Sequence, residues 1–148
     1  MNKFFTPALL TLLCVFTLAT FAQKGSKHFT GAQATTFYKG ASLVSVHQKR
    51  NTISFVRLQE NEMIPVAKAK DWLKNEVLKV PATLDLIQYN QFDDKAGFSH
   101  IRYRQHYKGV PVEYGVYYVH SRGGNVASAN GEWYEGISLN ANPSITAA

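Results

Sequence analysis

Between Phe98 and Trp133, apolar and polar residues alternate in two long runs and one shorter run, joined at Lys108-Gly109-Val110-Pro111 and at Arg122-Gly123-Gly124-Asn125. Alternation broken by glycine turns predicts an antiparallel meander. With Gly109-Val110 at the first tip, Tyr107 falls opposite Val112, Gln105 opposite Tyr114, Tyr103 opposite Val116 and Ile101 opposite Tyr118. These side chains share one face, because strand side chains alternate. The other face carries His100, Arg102, Arg104, His106 and Glu113, and is basic and wettable. With Gly123-Gly124 at the second tip, Ala127 falls opposite His120, Ala129 opposite Tyr118 and Trp133 opposite Tyr114, which extends the apolar face. A one-residue slip in either turn would reverse the assignment.

A different period appears at Pro65 to Val80, PVAKAKDWLKNEVLKV. Ala69, Trp72, Leu73, Glu76, Val77 and Val80 follow helical spacing, and all but Glu76 are apolar. Pro65 suits a first helical position, and Pro81 ends the element. Laying Trp72, Leu73 and Val77 on the tyrosine-rich sheet face buries large side chains, each worth ~1.5–3 kcal/mol. The predicted class is α+β: an antiparallel β-meander with one amphipathic helix, about 65–80, packed on one face. Leu84 to Asp93 forms a further alternating run, turned into the main hairpin by Asp93-Asp94-Lys95-Ala96-Gly97. Thr35 to His47 and Asn51 to Leu58 are rich in β-branched and aromatic residues and are expected to be strands or extended arms.

The N-terminus changes the setting. Met1-Asn2-Lys3 is followed by an apolar stretch from Phe4 to Phe21, with small Ala22 before Gln23. This is the pattern of a secretory signal peptide cleaved after Ala22, so residues 1–22 are assigned to export and the protein to the extracellular space. The chain that remains, 126 residues, is one domain by length, and it has no cysteine because Cys14 leaves with the signal. An exported chain without disulfides must be held by its core. Residues 23–61 are expected to form a leader with extended or strand segments. Residues 141–148, Ala-Asn-Pro-Ser-Ile-Thr-Ala-Ala, have the composition of a linker that leads onward. The formal charge of +6 raises acidic partners, anionic surfaces and nucleic acid as possibilities. Scattered lysines and export argue against nucleic acid, and no membrane contact is expected after signal cleavage.

The chemistry that can be sought by motif is absent. The sequence has no His-Glu-x-x-His zinc helix, phosphate-cradling glycine loop or Gly-x-Ser-x-Gly elbow. His100 and His106 share a face but lie about 20 Å apart along a strand. On the register above His120 points to the opposite face, so no three histidines converge on a metal. His100 and His106 are then expected to face solvent and His120 to be a hydrogen-bonded histidine at the core edge. Asp93 and Asp94 are turn formers rather than a catalytic pair. Arg102 and Arg104 with the two histidines make a basic stripe, either the solvated sheet face or a patch for an acidic partner. Tyr117 and Trp133 are candidates for sugar stacking or for the core.

Ile101-Arg102-Tyr103-Arg104-Gln105-His106-Tyr107-Lys108-Gly109-Val110-Pro111-Val112 resembles the FTP domain, the fungalysin/thermolysin propeptide motif found ahead of secreted thermolysin-like zinc metallopeptidases. That family has an arginine-bearing strand and then Gln-x-Tyr-x-Gly-Val-Pro-Val. Arg102, Gln105, Tyr107, Gly109, Val110, Pro111 and Val112 fill those places. A Val-His pair, a glycine turn and a valine strand ending in Asn-Gly follow as Val119, His120, Gly124, Val126, Asn130 and Gly131. The resemblance spans about residues 62–140.

It implies that the chain is the non-catalytic N-terminal part of a zinc endopeptidase zymogen, an intramolecular chaperone and inhibitor whose partner is the catalytic domain in cis. The metals of such precursors, zinc with calcium as a second candidate, would belong to that domain; no cofactor is expected in this chain. The second propeptide module, the zinc helix and its downstream glutamate do not appear, and the linker-like end points to a fragment. The competing expectation is a stand-alone secreted binder or protease inhibitor acting in trans.

Overall fold

Every alternating run becomes a strand of one antiparallel sheet in the computed structural model, which describes residues 25–141. The expected signal peptide and all of the expected linker except Ala141 lie outside the described residues. The strands are β1 (Ser26–Thr30), β2 (Ala41–His47), β3 (Ile53–Leu58), β4 (Ile64–Pro65), β5 (Leu84–Asp93), β6 (Phe98–Tyr107), β7 (Val110–Arg122) and β8 (Asn125–Gly131). Their order is β1-β2-β3-β8-β7-β6-β5, with β4 also on β8. Because β3 pairs with β8, the sheet runs unbroken across residue 62 and takes in the strands of the 23–61 segment. The first of these is shorter than the pattern suggested: α1 (Ala32–Thr35) and a turn occupy its start, and β2 begins only at Ala41. The class is α+β but mostly β.

The expected helix over 65–80 is shorter and more irregular. Pro65 is the last residue of β4, and helical turns run from Val66 to Val77. A 3₁₀ turn (Val66–Lys68) passes into α2 (Ala69–Asp71) and then a π-helical segment (Trp72–Val77). The wider π turn brings residues five apart onto one side. Leu78 therefore joins Leu73 in the core, with its N–H on the Leu73 carbonyl at 2.9 Å. Lys79 adopts a left-handed conformation (φ 49°) and the Val80 N–H closes on Lys74 O, which ends the element before Pro81.

The meander forms, but its register differs from the expected one. The first tip is Lys108-Gly109, both at positive φ (47° and 82°), flanked by Tyr107 opposite Val110. Two consecutive left-handed residues give a turn whose twist matches that of the strands. A bulge then lets Val112–Gly115 of β7 face Gln105, and Arg104 pairs with Val116. From there on every pair is one residue off the expected register: Ile101 faces Val119, not Tyr118. The slip reverses β7, as a one-residue slip must. Tyr117, Val119 and Ser121 point inward, while Val116, Tyr118 and His120 point outward. Tyr114, expected inside opposite Gln105, is 74% exposed. On β8 a second irregularity at Ala127 places Ser128, not Ala127, opposite His120 and Asn130, not Ala129, opposite Tyr118. Val126, Ala129 and Trp133 are buried.

One core lies on the inner sheet face. Val44, Val56, Ile101, Tyr103, Tyr117, Val119 and Leu86 meet Ala34, Ala69, Trp72, Leu73, Val77 and Leu78 from the helical layer. Tyr117 and Trp133, the two aromatics open to either reading, are both fully buried. The Tyr117 hydroxyl donates to Ile53 O at 2.5 Å, tying β7 to β3, and its burial raises the phenol far above its ordinary range.

Candidate functional site

The helical layer packs on the inner face and leaves the other face of the sheet open. Its side chains form rows that cross the strands. One row reads Leu43, Arg57, Ser128, His120, His100 and Phe92. The next reads Ser45, Phe55, Asn130, Tyr118, Arg102 and Asn90. Phe98 with Arg122, and Ile87 with Arg104, extend the face at either end. The basic stripe of β6 thus broadens into a surface spanning several strands, because the reversal of β7 adds Tyr118, His120 and Arg122.

The arginines lie on aromatic rings. Arg102 is 5.2 Å from the Phe92 centroid and 4.9 Å from that of Tyr118. Arg104 lies 4.6 Å from Tyr89, Arg122 5.4 Å from Phe98 and Arg57 5.8 Å from Phe55. Stacking of this kind fixes the planar guanidinium while leaving its edge N–H groups available.

The two histidines form a relay at the centre. The carboxylate of Asp94 accepts from His100 Nε2 at 3.0 Å, the two Nδ1 atoms of His100 and His120 are 2.6 Å apart, and His120 Nε2 lies 2.5 Å from the Asn130 side-chain amide. This corrects the sequence expectation, in which His120 pointed away from His100 and lay at the core edge, and His100 faced solvent. The side chain of His100 is only 15% exposed.

The relay closes with either of two proton arrangements. With Asn130 presenting its oxygen, both Nε2 atoms carry hydrogen, and the Nδ1 contact needs one more shared between the rings. With the Asn130 amide turned over, its NH₂ donates to His120 Nε2, and the relay is complete with one proton fewer. The Nδ1 separation is that of a hydrogen bond. Two ligands on zinc at about 2.0–2.1 Å each would stand farther apart. No cluster of metal-ligating side chains occurs among the described residues.

Asp94 also works as the turn former expected of it, accepting from Ala96 N at 2.8 Å and Phe98 N at 2.9 Å. The Phe98 N–H and then His100 hold its carboxyl below the usual carboxylate range. The partner expected at turn position 93 takes no part in this network; Asp93 instead ends β5 opposite Ser99.

The residues singled out by the sequence motif divide by place. Arg102, His120 and Asn130 lie on the open face. Gln105 is fully buried, and its amide clasps the backbone of Tyr134, donating to its O at 2.6 Å and accepting from its N–H at 3.1 Å. Gly109 turns the hairpin, and Gly131 allows β7 and β8 to approach: a Cβ there would lie 2.2 Å from Val116 O. Tyr107, Val110, Pro111 and Val112 line a mostly apolar cleft of about 520 Å³ with Tyr134, Ile137 and Leu139. His106 stays apart, its ring 3.2 Å from Arg104 O. The sequence reading missed the aromatic partners Tyr89, Phe92 and Phe98 and the exposed, left-handed Tyr114 (φ 60°). The glycine after Tyr114 was the available signal for a bulge.

Comparison with protein families finds that residues 85–132 match the Fungalysin/Thermolysin Propeptide Motif. The matched segment covers nearly all of β5 and the whole of β6, β7 and β8, and so most of the open face, the relay and the hairpin. Comparison with curated proteins finds no match. Among the described residues, no helix is long and apolar enough to cross a membrane.

Proposed function

From the premise that residues 85–132 carry the fungalysin/thermolysin propeptide motif, we propose that this chain is the propeptide region of a secreted zinc endopeptidase precursor. It assists folding of the catalytic domain and holds that domain inactive until it is removed. The motif match carries this reading. The architecture supports it in two ways. The chain offers a broad open sheet face and an apolar cleft, both suited to docking a folded domain. Inhibition by a propeptide requires a complementary surface over a cleft, not catalytic groups. A propeptide joined to its protease also acts at high effective concentration, so modest surface affinity is sufficient in cis.

In this reading the motif residues have two tasks. Gln105, Gly109 and Gly131 set the hairpin and the path of the C-terminal segment, while Arg102, His120 and Asn130 shape the docking surface. The test is refolding of the cognate catalytic domain from denaturant with and without this chain. The reading expects a clear rise in recovered native protease when the chain is present. Equal recovery in its presence and absence would refute the chaperone role.

A further inference from the structure

We propose that the open sheet face is a docking surface for a carboxylate-bearing protein segment, with Arg57, Arg102, Arg104 and Arg122 as its cations. The inference deepens the propeptide reading by naming the face and the chemistry of what it meets, and it rests on that reading only for the identity of the partner.

Charge complementarity carries the argument. None of the four arginines forms an ion pair among the described residues, whose ion pairs are Arg50–Glu132, Lys74–Asp85 and His100–Asp94. Arg57, Arg104 and Arg122 are exposed, and Arg102 is half-buried, with its Nε itself buried and without a hydrogen-bond partner. Two carboxylates lie at this face: Asp94, already engaged by His100 and by two backbone N–H groups, and Glu113, which lines a cleft with Arg104 but forms no ion pair with it. The face therefore presents oriented guanidinium groups that no carboxylate of the described residues pairs with. A carboxylate answers the flat fork of a guanidinium with two parallel hydrogen bonds.

The arrangement favours a protein over a nucleic acid. The cations are spread over β3, β6 and β7 in different cross-strand rows and do not follow one line, as a phosphate backbone would require. The rings on which bases would stack already carry guanidinium groups: Tyr89 carries Arg104, Phe92 and Tyr118 share Arg102, and Phe98 carries Arg122. Half-buried Phe55, Val116 and Tyr118 lie between the charges and supply the apolar ground of a protein interface.

The test uses the whole chain and a fluorescently labelled glutamate dodecapeptide, followed by anisotropy at low salt. Three proteins are compared: wild type; Arg57→Gln/Arg104→Gln/Arg122→Gln; and a charge-matched control, Lys39→Gln/Lys68→Gln/Lys79→Gln, which removes exposed lysines away from the open face. Wild type is expected to bind, the arginine triple to bind about tenfold or more weakly, and the lysine triple to stay within about threefold. Equal losses in both triples, or no binding by wild type, would overturn the proposal. So would arginine-dependent binding of an oligothymidylate with none of the glutamate peptide.

Should the arginine triple fail to fold, arginine Nε–H resonances of the wild-type protein provide a second measurement. The peptide is expected to shift those of Arg57, Arg102, Arg104 and Arg122, and unmoved resonances overturn the assignment. Protease inhibition separates the two claims. Inhibition that survives the arginine triple undiminished overturns this face as the docking site and leaves the propeptide reading intact. Arginine-dependent peptide binding without protease inhibition supports the face and sinks the propeptide reading.

Discussion

Replacing Gln105 by leucine tests how the hairpin holds the C-terminal segment. The side chain is fully buried and makes two hydrogen bonds to the backbone of Tyr134, at 2.6 and 3.1 Å. Leucine has a similar volume, so cavity formation contributes little, and the effect comes from two backbone groups losing their partners. A buried polar group left unsatisfied costs ~1–3 kcal/mol. Tyr134 is only half-buried, which lets water reach part of its backbone and places each loss near the lower end. Leucine also removes the burden of a desolvated amide. The expected net destabilisation is ~2 kcal/mol, or a melting point lower by roughly 6–10 °C for a domain of this size. Urea unfolding followed by tryptophan fluorescence measures it directly, since Trp133 adjoins the clasp. The midpoint should fall with an unchanged slope, and protease nicking should concentrate in residues 133–141. A Gln105→Leu protein as stable as wild type, with Tyr134 N–H still protected from exchange, would refute the reasoning.

Other expectations follow from the same geometry. Gly131→Ala places a methyl group against Val116 O and Tyr117 Cα, both backbone atoms, and should cost ~1–3 kcal/mol in thermal unfolding; a neutral result would mean that β7 and β8 separate freely. Tyr114→Gly relieves a left-handed backbone on an exposed residue and should raise stability by ~1 kcal/mol; a fall in melting temperature would show that Tyr114 packs in a way its exposure does not reveal. The carboxyls of Asp94 and Asp85 are both held below their ordinary range, Asp94 first by the Phe98 N–H and Asp85 first by Lys74. Their stabilisation is therefore complete above about pH 4 and is lost as pH falls through the lowered folded values. Asp94→Asn should lower the melting temperature at neutral pH and converge on wild type in strong acid; a constant gap down to pH ~2 would contradict this. Nitrogen-15 spectra of the histidine rings should show one proton shared between the Nδ1 atoms of His100 and His120, and two independent rings would dismiss the relay.

Much of the fold is legible in residue pattern because it depends on local periods. The inward set of β6, Ile101, Tyr103, Gln105 and Tyr107, is buried as its alternation requires. So are Trp72, Leu73 and Val77 on the helical layer. The register of β7 is not legible in the same way. Its run Val116-Tyr117-Tyr118-Val119 carries one valine and one tyrosine on each face, so alternation does not choose between faces. The choice is made by a Lys-Gly turn with two positive φ values and by a bulge ending at Gly115, which both depend on backbone conformation. The site inherited that ambiguity. With β7 reversed, His120 joins His100 and Asn130, and Tyr118 becomes a seat for Arg102. The irregular helix was likewise hidden, since Leu78 enters the core only when the turn widens to π geometry.

The most direct measurement of the proposed function is the hydrolytic activity of a mature zinc endopeptidase, the one the proposal places in the same precursor, titrated with this chain. The expected result is a saturable loss of activity that is relieved when the chain is degraded. Full activity at high micromolar concentrations of correctly folded chain would contradict it.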